Sequence, residues 1–219
     1  MDQDNVRLTK KERKEIKRET EQQKQSRERK MRIIRNCFIA ALLLLLIGGG
    51  LWWLIKESNK PLPGQAVEDL GRKHIGKAEW EKFKYNSNPP TSGPHDVEWI
   101  KAGIYNSPQG EGYLVHSLEH GYIIISYNCT KLISNVKSQM SNDEISNSKE
   151  CQDLKKELSD LVEEQKIWKL IVVPRPNLDV PIAITAWTRI DKMEKVDKDR
   201  IAQFISSFRD RGPEQTMEP

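Results

Sequence analysis

The sequence predicts an α+β protein in which a single N-terminal transmembrane helix precedes one domain with a mixed sheet and covering helices. Two observations carry this prediction. The first is an uncharged apolar run at residues 37–55, and the second is the alternation of short β-branched runs with helical patterns after residue 121. We therefore expect a basic tail at 1–35, a transmembrane helix at 36–55, a linker at 56–66 and one domain at 67–219.

The apolar run has the length of a membrane span. Its 19 residues would form a helix of about 28 Å, close to the hydrocarbon thickness of a bilayer. Trp52 and Trp53 stand at its end, where indole rings rest at the headgroup level. A cleaved secretory signal is the alternative, but the basic region is long for one and no small-x-small site follows. We therefore expect residues 36–55 to contact the lipid bilayer.

Charge predicts the orientation of this helix. Residues 1–35 carry 13 Lys or Arg and 7 Asp or Glu, a net charge of +6, whereas the whole chain is +4. The remainder is therefore −2, and the positive-inside rule predicts a cytoplasmic N-terminus in the cytoplasmic membrane with residues 56–219 outside. Anionic lipid headgroups would attract the basic tail. No aromatic residue interleaves its charges for base stacking, so we expect no nucleic-acid partner.

The second half of the domain alternates strand and helix patterns. β-Branched runs predict strands, and apolar residues at helical spacing predict helices. The segments are a strand at 122–127, a helix at 154–162, strands at 168–173 and 181–187, and a helix at 201–208 that Asp197 caps and Gly212-Pro213 stops. The order strand, helix, strand, strand, helix predicts a mixed sheet.

Two of the three cysteines lie in the outer domain. Cys37 falls within the apolar run, whereas Cys129 and Cys151 follow it. An extracytoplasmic compartment is oxidising, so we expect a structural disulfide between Cys129 and Cys151. A thiol redox pair and a soft-metal site are the alternatives.

The four histidines fall within 47 consecutive residues: His74, His95, His116 and His120. His95 ends the stretch SNPPTSGPH, whose prolines fix φ and make a stiff platform. His116 and His120 belong to LVHSLEHG. On a helical turn they would lie about 6 Å apart and could chelate one ion, whereas on a strand they would be roughly 13 Å apart.

Three hypotheses explain this histidine cluster. The first is a transition-metal site for copper or zinc, with His95, His116 and His120 as ligands and His74 as a fourth ligand or a support. The second is a non-catalytic structural or interaction module with an unknown protein partner, in which Glu119 orients one ring. The third is a zinc-dependent hydrolase, because His116-x-x-Glu119-His120 matches the inverzincin string in which the glutamate is the base. The sequence favours a non-catalytic role.

Several blocks resemble one bacterial family. YNSNPPTSGPH, GIYNSP, LVHSLEHGYIIISY, PIAITAWTRI and RGPE are similar to domain-of-unknown-function family 3105, whose members are mostly membrane-anchored. The resemblance covers about residues 71–214. It implies that the four histidines and Glu119 are family features, and it implies no activity.

Overall fold

The structure is a computed structural model that describes residues 10–58, 61–133 and 140–216. The chain divides into two compact units, Met1–Pro61 and Leu62–Pro219. The predicted tail and membrane segment lie in the first unit, and all four histidines lie in the second.

A single helix, α1, spans Lys10–Ser58. Its 49 residues give it a length of about 74 Å, so residues 10–35 of the basic tail and the apolar run form one continuous helix. The apolar side chains of residues 38–55 are exposed. By length and composition, the part from Arg13 to Lys56 could cross a membrane.

The second unit contains a six-stranded sheet with helices on both faces. Its strands are β1 Gln65–Ala66, β2 Gly103–Ile104, β3 Ile123–Tyr127, β4 Leu170–Pro174, β5 Ile182–Ala186 and β6 Arg189–Met193. Its helices are α2 Lys77–Trp80, α3 Glu111–Glu119, α4 Cys129–Leu132, α5 Asn142–Ser146, α6 Lys149–Glu164 and α7 Lys198–Phe208.

The sheet is mixed, as predicted. Its strand order is β1-β6-β5-β3-β4-β2. Central β3 pairs parallel with β4 and antiparallel with β5. Short β2 extends the parallel part, and β6 and β1 extend the antiparallel part. The α6 crossover between β3 and β4 allows their parallel pairing.

Alternate residues of the central strands enter two different cores, because successive side chains of a strand point to opposite faces. Ile123 and Ile125 pack with α6 and α7 in the larger cluster, on what we name the apolar face. Ile124 packs with Leu114 and Leu118 of α3 in the smaller cluster, on what we name the α3 face. Both faces of β3 are therefore buried, which explains its run of three successive isoleucines.

The predicted α+β architecture is confirmed, with additions. The predicted second-half strands and helices are present, and Asp197 caps α7 by accepting a hydrogen bond from Arg200 N at 3.0 Å. Sequence patterns missed β1, β2 and β6, and β1 lies inside the predicted linker 56–66. The two-residue strands are too short to show a period. Helix α7 ends at Phe208, before the predicted Gly212-Pro213 stop.

The disulfide between Cys129 and Cys151 is also confirmed. It joins the start of α4 to α6, with 5.2 Å between the Cα atoms. Cys151 is fully buried, and partly buried Cys129 packs against the apolar face. Cys37, in α1, is a free and exposed thiol.

Candidate metal centre

Helix α3 presents three polar side chains on one side. The segment LVHSLEHG turns rather than extends, since α3 runs from Glu111 to Glu119 and His120 is its C-cap. His116, Glu119 and His120 therefore follow helical i, i+3 and i+4 spacing and share a surface. All three side chains are buried. The helix places His116 and His120 close together, which the sequence alone did not decide.

His95 approaches α3 from the stiff loop. Its backbone pairs with the segment around His74: Ile75 N donates to His95 O at 2.8 Å, and His95 N donates to Lys73 O at 3.0 Å. The Tyr85 hydroxyl donates to Pro94 O at 2.8 Å and fixes the preceding residue. Two chain segments therefore bring His74 and His95 to the same place.

Four side chains converge at this place: His74, His95, His116 and Glu119. Each offers one ligand atom, and these atoms all lie within 4.8 Å of one another. The ring centroids of the three histidines are 4.9 to 5.0 Å apart. Glu119 has its Oε2 2.8 Å from His95 Nε2 and 3.8 Å from His74 Nε2.

The contact between His95 and Glu119 is chemically unusual. His95 Nδ1 lies 2.7 Å from Gly93 O, so Nδ1 carries the proton and donates it to this carbonyl. In the neutral ring Nε2 is then an acceptor, and it faces a carboxylate oxygen at 2.8 Å. Neither atom has a well-formed hydrogen bond to any described residue. Two buried acceptors at this distance repel unless a cation lies between them or a proton joins them.

His120 lies next to the four converging side chains but is not one of them. Its Nε2 lies 3.0 Å from His116 Nε2, so one ring donates a hydrogen bond to the other. Trp99 covers this pair, with ring centroids 5.7 Å from His116 and 5.2 Å from His120. His120 therefore holds the ring of His116, whereas Glu119 supplies the fourth converging atom.

Burial keeps His116 neutral. Loss of water around its ring is the largest cause, followed by the nearby charges of His120, His95 and His74, and together they lower the pKa of His116 to about 4. The nearby Asp96 backbone opposes this shift only in part. A neutral imidazole is the form that binds a metal ion.

Access to the cluster is one-sided. His74 is 44% exposed, whereas the Glu119 side chain is 3% exposed. Exposed Arg72 has its Nη1 3.5 Å from Glu119 Oε1. An ion can therefore enter at His74 without opening the core.

The hydroxyl of Ser117 is committed to the backbone. It donates to Ile100 O at 2.8 Å and accepts from Ile100 N at 3.0 Å. This arrangement anchors the Trp99 segment to α3 and leaves the hydroxyl no base-activated role.

The sequence predicts His120 as a ligand and Glu119 as a candidate base. The structure brings His74, His95 and His116 together, with Glu119 as the fourth converging side chain. The i, i+3 spacing of His116 and Glu119 was the signal for this carboxylate, because it puts both side chains on one surface once a helix is assumed.

The fold and site define a mixed α+β domain with a buried histidine–glutamate cluster. The chain belongs to the family described as Protein of unknown function (DUF3105), whose sequence model matches residues 77–219. His95, His116, Glu119 and His120 lie within the match, and His74 lies just before it. Comparison with the curated proteins and with the solved structures gave no match.

Proposed function

We propose that this protein binds one divalent transition-metal ion through His74, His95, His116 and Glu119, in a domain that α1 anchors to the membrane. The contact between His95 Nε2 and Glu119 Oε2 carries the proposal. A metal ion between these two acceptors replaces their repulsion with two favourable bonds, which accounts for two buried polar atoms without well-formed hydrogen bonds.

The geometry suits a tetrahedral ion. With metal–ligand distances near 2.1 Å, donor atoms around a tetrahedral centre lie about 3.4 Å apart. The two contacts of Glu119 with histidine rings, 2.8 Å and 3.8 Å, lie on either side of this value. The hydrogen bond from His95 Nδ1 to Gly93 O is the support that metal-binding histidines use to fix their tautomer.

The donor types favour zinc or copper(II). Three imidazoles and one carboxylate are borderline and hard ligands, and no sulfur is among the converging atoms. The soft copper(I) ion therefore fits this set poorly. Four protein donors also close the coordination shell, which is typical of a structural or storage site rather than a catalytic one.

An interaction module with structural histidines is the second candidate, and the same contact favours it. If His95 is protonated at both nitrogens, it forms a buried ion pair with Glu119 and no metal is needed. The hydrolase hypothesis has less support, because the inverzincin pattern needs both His116 and His120 on the metal and Glu119 free to act as base.

Elemental analysis decides between these candidates. Full-length protein in detergent is stripped with a chelator, reloaded with Zn²⁺ or Cu²⁺, desalted and measured by mass spectrometry for metal per chain. We expect one ion per chain in the wild type, and we expect Glu119→Gln and His95→Gln each to lose most of it. Glu111→Gln on the same helix is the matched control and should keep the ion. Wild-type protein without bound metal would favour the ion-pair module.

We also propose the topology that the charge pattern predicts: residues 1–35 in the cytoplasm, 36–55 across the bilayer beside anionic headgroups, and the domain outside. The basic excess of the tail and the length of α1 support it. Epitope tags at the two ends test it in intact spheroplasts. Added protease should remove the C-terminal tag and leave the N-terminal tag until lysis, and the reverse pattern would contradict the proposed orientation.

A further inference from the structure

Lys169 is a buried cation that the proposed metal site does not use. Its side chain is fully buried, directly before β4, and its backbone is in the left-handed region with φ of 52°. An ammonium group is rarely buried completely, because losing its water is costly unless oxygen acceptors replace the water. Three oxygens do so here: His120 O at 2.8 Å, Asp210 Oδ1 at 2.6 Å and Thr216 O at 3.1 Å.

These acceptors join two distant parts of the chain. His120 is the C-cap of α3, next to Glu119. Asp210 and Thr216 lie at the two ends of the C-terminal segment 210–216, which we name the strap. Lys169 therefore ties both ends of the strap to the helix end that carries the site.

The strap also contacts this helix end through its backbone. Asp210 N donates to Gly121 O at 2.8 Å, and Glu214 N donates to Glu119 O at 3.1 Å. With Lys169 on His120 O, three successive carbonyls at the end of α3 all have donors from outside the helix. Helix ends leave such carbonyls without intrahelical partners, and a cation there also complements the helix dipole.

Packing between the strap and α3 leaves no spare space. A Cβ added at Gly212 would lie 2.1 Å from Glu119 O and 2.3 Å from Gly121 N. Gly121, at φ of 78°, would in turn place a Cβ 2.8 Å from the Cα of Asp210. Backbone lies against backbone, so a side chain at either glycine must displace the strap.

We propose that Lys169 and the strap are positioning elements that hold the end of α3 so that Glu119 reaches the metal ion. This inference rests on the metal-binding function proposed above. Residues that support metal ligands from outside the coordination shell typically change metal affinity by about 10- to 100-fold when they are removed. We expect a loss in this range when the ammonium group of Lys169 is removed.

The test compares Lys169→Met with Lys192→Met in full-length protein in detergent. Lys192 is ion-paired with Asp179 away from the strap, at 2.7 Å, so it is a matched lysine control. Co²⁺ is the probe, because its visible spectrum reports the number and geometry of its ligands. Lys169→Met should bind Co²⁺ about 10- to 100-fold more weakly and show an altered spectrum at saturation, whereas Lys192→Met should match the wild type.

A second pair of variants separates positioning from general damage. Gly212→Ala should reproduce the changed spectrum. Gly103→Ala should not, because its added Cβ meets only the Tyr105 side chain, at ordinary contact distances of 3.4 to 3.7 Å. Hydrogen exchange is measured on the metal-free proteins. The Asp210 and Glu214 amides should exchange faster in Lys169→Met than in the wild type, and Lys192→Met should exchange as the wild type does.

The outcomes separate the two proposals. Wild-type protein that binds no Co²⁺, Zn²⁺ or Cu²⁺ overturns the metal site and with it the positioning role. Wild-type protein that binds metal, with Lys169→Met showing the same affinity and spectrum, overturns the positioning role alone. A Lys169→Met variant that loses stability but keeps its affinity and spectrum is also a refutation, because it assigns Lys169 to folding only.

Discussion

The two faces of the sheet are built in different ways. On the apolar face, residues of β3, β4 and β5 pack against the apolar sides of α6 and α7 in one continuous cluster. On the α3 face the apolar cluster is small, and buried polar groups lie around it: His95, His116, Ser117, Glu119 and Lys169. One side of the same sheet is thus held by non-directional burial, and the other by specific polar contacts.

This difference has an energetic consequence. Apolar burial stabilises in proportion to the area removed from water, so its loss on truncation is graded. A buried polar group stabilises only when its partner is in place and destabilises when the partner is lost. The stability of the apolar face should therefore depend on side-chain volume. The stability of the α3 face should depend on pH, on metal and on the loss of single hydrogen-bonding or ion-pairing atoms.

Truncation of Phe204 should have the largest effect on stability. Phe204 is fully buried on the apolar face, 4.8 Å from the ring of Phe208. Phe204→Ala should lower the free energy of unfolding by about 4 kcal/mol through lost burial and a new cavity. Urea denaturation followed by tryptophan fluorescence measures it, and metal affinity of the folded protein should not change. A large loss of affinity would show that the two faces are not independent.

Removal of the disulfide should have the next largest effect. Cys129 and Cys151 lie 22 positions apart in the sequence, and the chain-entropy model assigns such a cross-link about 3 kcal/mol. The Cys129→Ala, Cys151→Ala variant should lose this amount in urea denaturation and keep its metal. Cys37→Ala is the control and should unfold as the wild type does. Loss of metal from the double variant would connect the disulfide to the site.

The α3 face should show its own pH dependence through His116. In the folded protein the pKa of His116 is lowered from 6.5 to about 4, so the unfolded chain takes up a proton that the folded chain refuses. Stability should therefore fall as pH drops below 6.5 and level off below about 4. From pH 7 to pH 5 the loss from this group is about 2 kcal/mol.

Denaturation of the chelator-treated protein at both pH values measures this loss. His116→Gln should lack this part of the pH dependence. Phe204→Ala should keep it, because that change is on the other face. Equal pH dependence in the wild type and His116→Gln would contradict a neutral buried His116.

The two faces also differ in how far the sequence predicts them. The leucines of α6 recur at helical spacing and the central strands are largely apolar, so the apolar face could be predicted from the sequence pattern. The α3 face has no such period: α3 is only nine residues long, and His74 and His95 meet through a bridge between two loops. Periodicity predicts which side of an element is buried, but it does not predict which distant loops meet.

The sequence indicates which residues form the candidate site better than it indicates how they are arranged. Histidine clustering identified the region, and the i, i+4 pair suggested His120 as a ligand. Glu119 converges with His74, His95 and His116 instead. The contacts of Lys169 with the end of α3 and with the strap connect residues 41 to 49 positions apart. Long-range polar contacts of this kind have no local sequence pattern.

The smallest expected effect on stability is at the Asp197 cap of α7, which belongs to the apolar face. Asp197 caps α7, with Oδ1 accepting from Arg200 N at 3.0 Å, and the sequence alone predicted this role. Asp197→Ala should lower the free energy of unfolding by about 1 kcal/mol, because one amide at the start of the helix loses its acceptor. Asp197→Asn keeps a side-chain oxygen at this position and should retain most of the stability.

Urea denaturation at pH 7 separates the cap from the charge of Asp197. If Asn restores stability, the hydrogen bond to the helix start is responsible. If Asn is as destabilising as Ala, the carboxylate acts through its charge near the helix start, and the contribution should then weaken with added salt. In either case the affinity of the proposed metal site should not change, because α7 packs on the apolar face.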